Sequence, residues 1–142
     1  MNPLAPVLQQ EAQALLNTAA QLRPDQAEAA LDLLQHCSEQ GAKLVVTGVG
    51  KSGIVARKIA ATFTSIGLMA LYLNPLDALH GDLGVVGADD VVLLLSNSGE
   101  SSELLALLPH LHRRGSAGIA LTGRLDSSLA KGSQVVLDGS VD

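Results

Sequence analysis

Short apolar, β-branched runs alternate with helical segments along most of this chain. The runs that favour strands are residues 44–47, 68–73, 91–95, 117–121 and 134–137. Helices are predicted between them, over residues 52–65 and through residues 104–111. Strands separated by helices pair in parallel, and near-continuous apolar strands are typical of a sheet that is buried on both faces. The pattern therefore predicts an α/β fold, with a parallel sheet between two layers of helices.

Two further helices are predicted in residues 1–40, ahead of a sheet core in residues 41–142. Leucine and alanine recur there at helical spacing, Pro24 suits the first turn of the second helix, and Gly41 ends it. We interpret these helices as a packing or oligomer face rather than a site. A length of 142 residues fits a single domain. Because no helix follows the fifth strand to cover its edge, we expect the chain to be a piece of a longer protein.

The composition excludes several classes of function. The chain has 14 acidic and 9 basic residues, a net charge of −5, which argues against a general nucleic-acid-binding face. Phe63 and Tyr72 are its two aromatic residues, too few for a base-stacking platform. The single Cys37 excludes a disulfide framework and a cysteine zinc cluster, and is interpreted as a helix-packing residue. The longest aliphatic run, residues 91–95, is far shorter than the about 18 residues of a membrane span, so we expect a soluble, cytoplasmic protein.

A glycine-rich turn, Gly-Val-Gly-Lys-Ser-Gly at residues 48–53, follows the first predicted strand. It matches the dinucleotide-binding pattern, but the second strand ends at Asn74 rather than at the acid that would bind a ribose. A P-loop would need glycine where Val45 stands. The third interpretation is a phosphomonoester held by backbone N–H groups, a helix N-terminus and the charge of Lys51. A tight turn without a ligand is the fourth.

A serine-rich turn, Ser-Asn-Ser-Gly-Glu-Ser at residues 96–101, follows the third predicted strand. Ligands of open α/β sheets bind outside the carboxyl ends of strands, so the two turns face one crevice if their strands are neighbours. Helix capping is the alternative, because Asn97 and Glu100 have the spacing of a capping box. Capping does not require so many serines after a buried strand, and we predict phosphate binding. The predicted phosphate ligands are Gly50, Ser52, Ser96, Ser98 and Ser101.

Three motifs in this order resemble those of sugar isomerase (SIS) domains, and most closely the SIS domain of D-arabinose 5-phosphate isomerases. They are Gly-Lys-Ser-Gly at 50–53, His-Gly-Asp-Leu-Gly at 80–84, and Ser-Asn-Ser-Gly-Glu-Ser-Ser-Glu at 96–103. The resemblance covers about residues 43–138. It implies a three-layer α-β-α sandwich with a five-stranded parallel, flavodoxin-like sheet. It also implies a homotetramer, with sites between subunits and a small pentose phosphate as ligand.

The resemblance implies an aldose–ketose isomerisation through an enediol, between D-ribulose 5-phosphate and D-arabinose 5-phosphate, a precursor of the lipopolysaccharide sugar Kdo. It implies catalytic roles for three residues. Lys51 would stabilise the enediolate or a substrate oxygen, Glu103 would act as acid or base, and His80 would bind substrate oxygens or move a proton. No metal or other cofactor is expected, because a lysine can supply the charge.

The chain also departs from the pattern of the resembled family. Ile54 stands where a histidine is common, which leaves the subfamily open. A glutamate after the fifth strand, a histidine on a later helix and a pair of CBS domains would lie beyond these residues. Whether residues 1–142 alone turn substrate over is therefore open. A non-catalytic sugar-phosphate sensor and another sugar-phosphate enzyme of the same family are the alternatives.

Overall fold

A computed structural model describes residues 2–141. Within them, five strands form one sheet, flanked by six α-helices and a 3-10 helix at Asp82–Val85. The strands are β1 (Leu44–Gly48), β2 (Ala70–Leu73), β3 (Val91–Ser96), β4 (Ala117–Thr122) and β5 (Val135–Asp138). The helices are α1 (Ala5–Gln21), α2 (Pro24–Glu39), α3 (Lys51–Ser65), α4 (Pro75–Leu79), α5 (Ser102–Arg114) and α6 (Ser128–Lys131).

All strand pairs are parallel, in the order β2-β1-β3-β4-β5. This order is flavodoxin-like. Alternate strand residues point to opposite faces, and each face carries its own core. Val45 and Leu94 pack with α4, α5 and α6, whereas Val46 and Leu95 pack with α2 and α3. The predicted three-layer α-β-α sandwich is therefore confirmed.

Two stretches differ from the predicted pattern. The segment 74–89, which separates two predicted strands and for which no helix is predicted, contains α4 and the 3-10 helix. The side chain of Asn74 accepts hydrogen bonds from the amides of Leu76 and Asp77, so the capping residue starts a helix too short for periodicity to reveal. The short helix α6 was missed for the same reason.

The two N-terminal helices differ in how they attach to the sheet. Cys37 and Ala30 of α2 are buried in the core, which confirms that Cys37 packs within the protein. Helix α1 contributes no buried residue. At the C-terminal end of α1, Gln21 Nε2 donates a hydrogen bond to the Ser140 carbonyl at 2.7 Å, which connects the helix to the segment after β5. Among residues 2–141, none of the helices is both long and apolar enough to span a membrane.

An ion pair between partly buried Lys43 and buried Asp90 joins the amino ends of β1 and β3. The Asp90 carboxylate accepts from Lys43 Nζ at 2.5 Å, from the Lys43 amide at 2.9 Å and from the Gly87 amide at 2.7 Å. Burial disfavours the charged carboxylate, but these hydrogen bonds outweigh it and hold the pKa of Asp90 below its usual range. The pair links β1 to β3 at the amino ends of these strands, opposite the carboxyl ends where ligands of such sheets bind.

Candidate active site at the carboxyl edge of the sheet

The candidate site is a crevice between β1 and β3. These strands are neighbours, with Gly48 in register with Leu95, although β2 lies between them in the chain. The helix after β1 packs on one face of the sheet and the helix after β3 packs on the other. The two connecting loops therefore diverge and leave an opening, as at the switch points of other open α/β sheets. This confirms the prediction that the glycine-rich and serine-rich turns face one crevice.

The glycine-rich turn needs its glycines for two different reasons. Gly50 has φ 61° and ψ −126°, a conformation that residues with a side chain rarely adopt. Gly53 lies directly against β1, and a Cβ there would come within 2.8 Å of the Gly48 carbonyl oxygen. The hydroxyl of Tyr72 donates to that same oxygen at 3.2 Å, and the Arg57 guanidinium lies 4.7 Å from the centre of the Tyr72 ring. The turn is thus held closely between strand and helix.

Two helices begin at the crevice. Helix α3 starts directly after Gly50, which has no side chain to cap it, and the Ser101 side chain makes no capping hydrogen bond to α5. The amides of the first helical turn are then available to an anion, and the helix dipole favours negative charge there. The capping-box alternative for Asn97 and Glu100 was wrong, because α5 begins at Ser102 and both residues precede its N-cap.

The serines of the second turn bond mainly to the turn itself. Buried Ser96 accepts from the Gly99 amide at 3.0 Å, and its Oγ lies 2.9 Å from the Oγ of Ser101. The Oγ of Ser98 accepts from the Glu100 amide at 3.1 Å. These contacts fix the turn. One hydroxyl of the Ser96–Ser101 pair donates to the other, so the second proton of that pair and the proton of Ser98 remain as donors for a ligand.

An open cleft of about 250 Å³ lies at this edge. Three of the predicted site residues, Lys51, Ser52 and Ser96, line it together. The predicted site residues that are not among those lining the cleft are Gly50, Ser98, Ser101, Glu103 and His80. Ser101 lies one contact away, through its hydrogen bond with Ser96. Glu103 is half-buried in the first turn of α5, where it accepts a hydrogen bond from Ser102 Oγ at 3.2 Å.

His80 lies away from this cleft. It is exposed and follows the last residue of α4, and it is not among the residues that line the cleft. A separate cavity of about 420 Å³ lies beside the edge strand β2 and is lined in part by Gly81 and Asp82. Within one chain the structure does not bring His80 to Lys51, so the catalytic role of His80 stays a prediction.

Several cleft residues were missed in the sequence. Asn97, Thr122, Gly123 and Gly139 also line the cleft, together with apolar Val55, Leu95 and Leu121. Thr122 and Gly123 lie at the end of β4, and the carboxyl ends of parallel strands meet at one edge, so their position could have identified them. A Cβ at Gly123 would lie 2.3 Å from Asn97 Oδ1, so glycine is what lets the Asn97 side chain lie there.

A carboxylate between the serines bonds outside the cleft. Glu100 Oε1 accepts from the Ser128 amide at 2.8 Å, and this hydrogen bond lowers the pKa of Glu100.

Within residues 2–141, no group of three or more histidine, cysteine, aspartate or glutamate side chains is placed to hold a metal ion.

Comparison with known proteins identifies relatives of the chain. A Helicobacter pylori protein without an assigned function is 47% identical over 126 residues, which are 88% of this chain and 38% of that protein. The arabinose 5-phosphate isomerase KdsD of Pseudomonas aeruginosa is 50% identical over 99 residues, 70% of this chain and 30% of that protein. The chain thus spans well under half the length of these relatives.

A solved structure extends the comparison to the whole chain. The Escherichia coli CFT073 protein c3406, in complex with A5P, superposes with a TM-score of 0.82 at 39% identity. The match covers 100% of this chain and 77% of that one. The sequence pattern of the SIS domain matches residues 37–142, which include both turns of the crevice. The chain therefore belongs to the SIS domain family.

Proposed function

We propose that this chain is the sugar-phosphate isomerase domain of a protein that interconverts D-ribulose 5-phosphate and D-arabinose 5-phosphate. The observation that carries the proposal is the cleft, where the uncapped N-terminus of α3 and the hydroxyls of Ser52 and Ser96 lie beside Lys51. Such neutral donors with one positive charge suit the dianion of a small phosphomonoester. The isomerase names of relatives and the A5P complex of a similar structure support the choice of sugar.

The proposed phosphate ligands are Gly50, Ser52, Ser96, Ser98 and Ser101. With the phosphate held there, the sugar extends over the cleft, where Lys51 supplies positive charge. Isomerisation moves one proton between C1 and C2 and another between the oxygens on those carbons, through an enediolate. The Lys51 ammonium stabilises the negative oxygen of that intermediate.

Glu103 and His80 are the proposed groups for proton transfer. Glu103 lies in the first turn of α5, where the helix dipole favours the carboxylate and therefore a base. His80 is exposed at the end of α4 and does not line the cleft of its own chain, and we propose that it reaches a substrate bound by a neighbouring subunit. No metal or cofactor takes part in the proposed reaction.

We further propose that the protein is a cytoplasmic homotetramer. Helix α1 supports an assembly, because it buries no residue and exposes apolar side chains at helical spacing. These side chains are Val7, Leu8, Leu15 and Leu16, and the N-cap residue Leu4 is exposed as well. Sedimentation of the double variant Leu15→Glu, Leu16→Glu tests this part, with a smaller species expected than for the unchanged chain.

An isomerase assay with D-ribulose 5-phosphate tests the proposed reaction directly. Formation of D-arabinose 5-phosphate supports it, and the assay should be run beside ligand titration. A chain that binds D-arabinose 5-phosphate tightly but fails to convert it, even within its complete protein, would contradict catalysis and favour the sensor alternative.

Ser101→Ala should weaken binding of D-arabinose 5-phosphate about tenfold, as expected for one hydrogen bond to a charged group. Because the Ser101 side chain does not cap α5, its loss should lower the free energy of unfolding by no more than about 1 kcal/mol, for the bond to Ser96. Titration calorimetry and urea unfolding measure the two quantities.

The matched control is Ser65→Ala, at the far end of α3, where the hydroxyl bonds only to the Thr62 carbonyl among residues 2–141. It should leave affinity unchanged. Unchanged affinity in Ser101→Ala, with a loss of stability, would instead mean that the serine turn is purely structural.

A further inference from the structure

Glu100 places a negative charge in the middle of a turn that otherwise presents hydroxyl and amide donors. Its neighbours Ser98 and Ser101 are proposed phosphate ligands, and a carboxylate so close to a phosphate dianion would repel it. An unattached Glu100 would therefore oppose the ligand that the turn binds.

The structure directs this carboxylate away from the cleft. Glu100 does not line the cleft, and its Oε1 accepts from the Ser128 amide at the start of α6. Two backbone hydrogen bonds lie beside that contact. The Leu129 amide donates to the Gly99 carbonyl at 3.0 Å, and the Gly123 amide donates to the Asn97 carbonyl at 3.0 Å.

The two segments are also in van der Waals contact. Gly99 has φ 68°, and a Cβ there would lie 2.1 Å from the Oγ of Ser127. The serine turn, residues 96–101, therefore lies directly on the segment 122–129 that joins β4 to α6. Among these contacts, the Glu100 hydrogen bond is the one made by a charged side chain.

We propose that Glu100 is a positioning residue, a latch that holds the serine turn on the β4–α6 segment and so preforms the phosphate site. The inference rests on the proposed function, because it explains how that site is held. Glu100 itself does not touch the substrate. A preformed site binds more tightly because the turn loses less conformational freedom when the ligand arrives.

Two substitutions of Glu100 separate the latch from a simple charge effect. Glu100→Ala removes the negative charge and the acceptor, and the latch predicts that the Kd for D-arabinose 5-phosphate rises about tenfold. Glu100→Gln removes only the charge and keeps an acceptor for the Ser128 amide, so its Kd should stay within about twofold of wild type. If Glu100 acted only through its charge, both variants would bind the dianion more tightly, and that result would overturn the proposal.

Ser128→Pro removes the donor of the same hydrogen bond. Ser128 is the first residue of α6, a position where proline is favoured, and Ser127 before it is extended, with φ −72° and ψ 161°. The variant keeps the Glu100 charge but releases the carboxylate, so it should weaken binding at least as much as Glu100→Ala does. Wild-type affinity in Ser128→Pro would also overturn the latch.

Amide hydrogen exchange tests the proposed latch in the absence of a ligand. In Glu100→Ala and Ser128→Pro, the amides of Gly99, Gly123 and Leu129 should exchange about tenfold faster, whereas Glu100→Gln should leave them near wild type. If the unchanged chain binds no D-arabinose 5-phosphate, the proposed function fails. The hydrogen-exchange rates of the variants still test the latch in that case, because they are measured without a ligand. Unchanged exchange in both disruptive variants would refute it.

Discussion

Lys51→Met is expected to lower kcat for pentose phosphate isomerisation about 100- to 1,000-fold in the catalytically competent protein. The loss follows from the place of Lys51, the first residue of α3 and part of the cleft wall. In the proposed reaction, its ammonium is the positive charge that this wall offers to the developing enediolate. Binding should weaken less, because the proposed helix amides and serine hydroxyls would still hold the phosphate. Steady-state kinetics and titration calorimetry separate the two effects.

Lys58→Met is the matched control for that experiment. Lys58 is an exposed lysine of the same helix and does not line the cleft. Lys58→Met therefore makes the same change of charge as Lys51→Met, but outside the proposed site. Methionine is a good helix former at both positions, so neither variant should unfold α3. Near-normal kcat in Lys51→Met, or an equal loss in Lys58→Met, would contradict the proposed role of Lys51.

Asp90→Ala is expected to lower the free energy of unfolding at pH 7 by about 3 kcal/mol. The substitution leaves Lys43 without its buried partner and strips an acceptor from the amides of Lys43 and Gly87. These groups hold the amino ends of β1 and β3 together, so the loss falls on the centre of the sheet. Urea unfolding of both proteins measures the difference.

The effect of Asp90 should also depend on pH. Because the pKa of Asp90 is lower in the folded chain than in the unfolded one, its contribution is complete above the unfolded pKa, about 4. It is lost as the pH falls through the folded pKa. The difference between wild type and Asp90→Ala should therefore be constant near neutral pH and shrink as the pH falls below about 4.

Asp89→Ala makes the same change of charge at the adjacent, exposed position and should alter stability by less than about 0.5 kcal/mol. A difference for Asp90→Ala that is constant across the acid range would show that the ion pair does not contribute as the structure indicates.

The layered fold could be predicted from the sequence because its signals are local. Leu44, Val45 and Val46 belong to a run that is buried on both faces, and such a run identifies a central parallel strand. Pro24 and Gly41 mark a helix start and a helix end in the same local way. Helices α4 and α6 could not be found by periodicity, because elements of one turn do not produce a repeating pattern.

The candidate site was predictable only in part, because it depends on which strands are neighbours. Lys51, Ser52 and Ser96 follow recognisable motifs, and the pairing of β1 with β3 brings them together. Thr122 carries no motif of its own, and it joins the cleft through packing of the β4–α6 segment on the serine turn. Asn97 lies within the serine motif, but its sequence spacing pointed to a helix cap rather than to the cleft wall. The role of Glu100 depends on Ser128, which lies 28 residues away in the chain.

Titration calorimetry of the 142-residue chain tests the central claim most directly, with D-arabinose 5-phosphate, D-arabinose and NAD as ligands. The sugar without its phosphate is the matched control for the anion site. The account predicts saturable binding of D-arabinose 5-phosphate and no measurable heat of binding for D-arabinose or NAD. Binding of NAD, or equal binding of the sugar with and without its phosphate, would contradict a phosphate site at the crevice between β1 and β3.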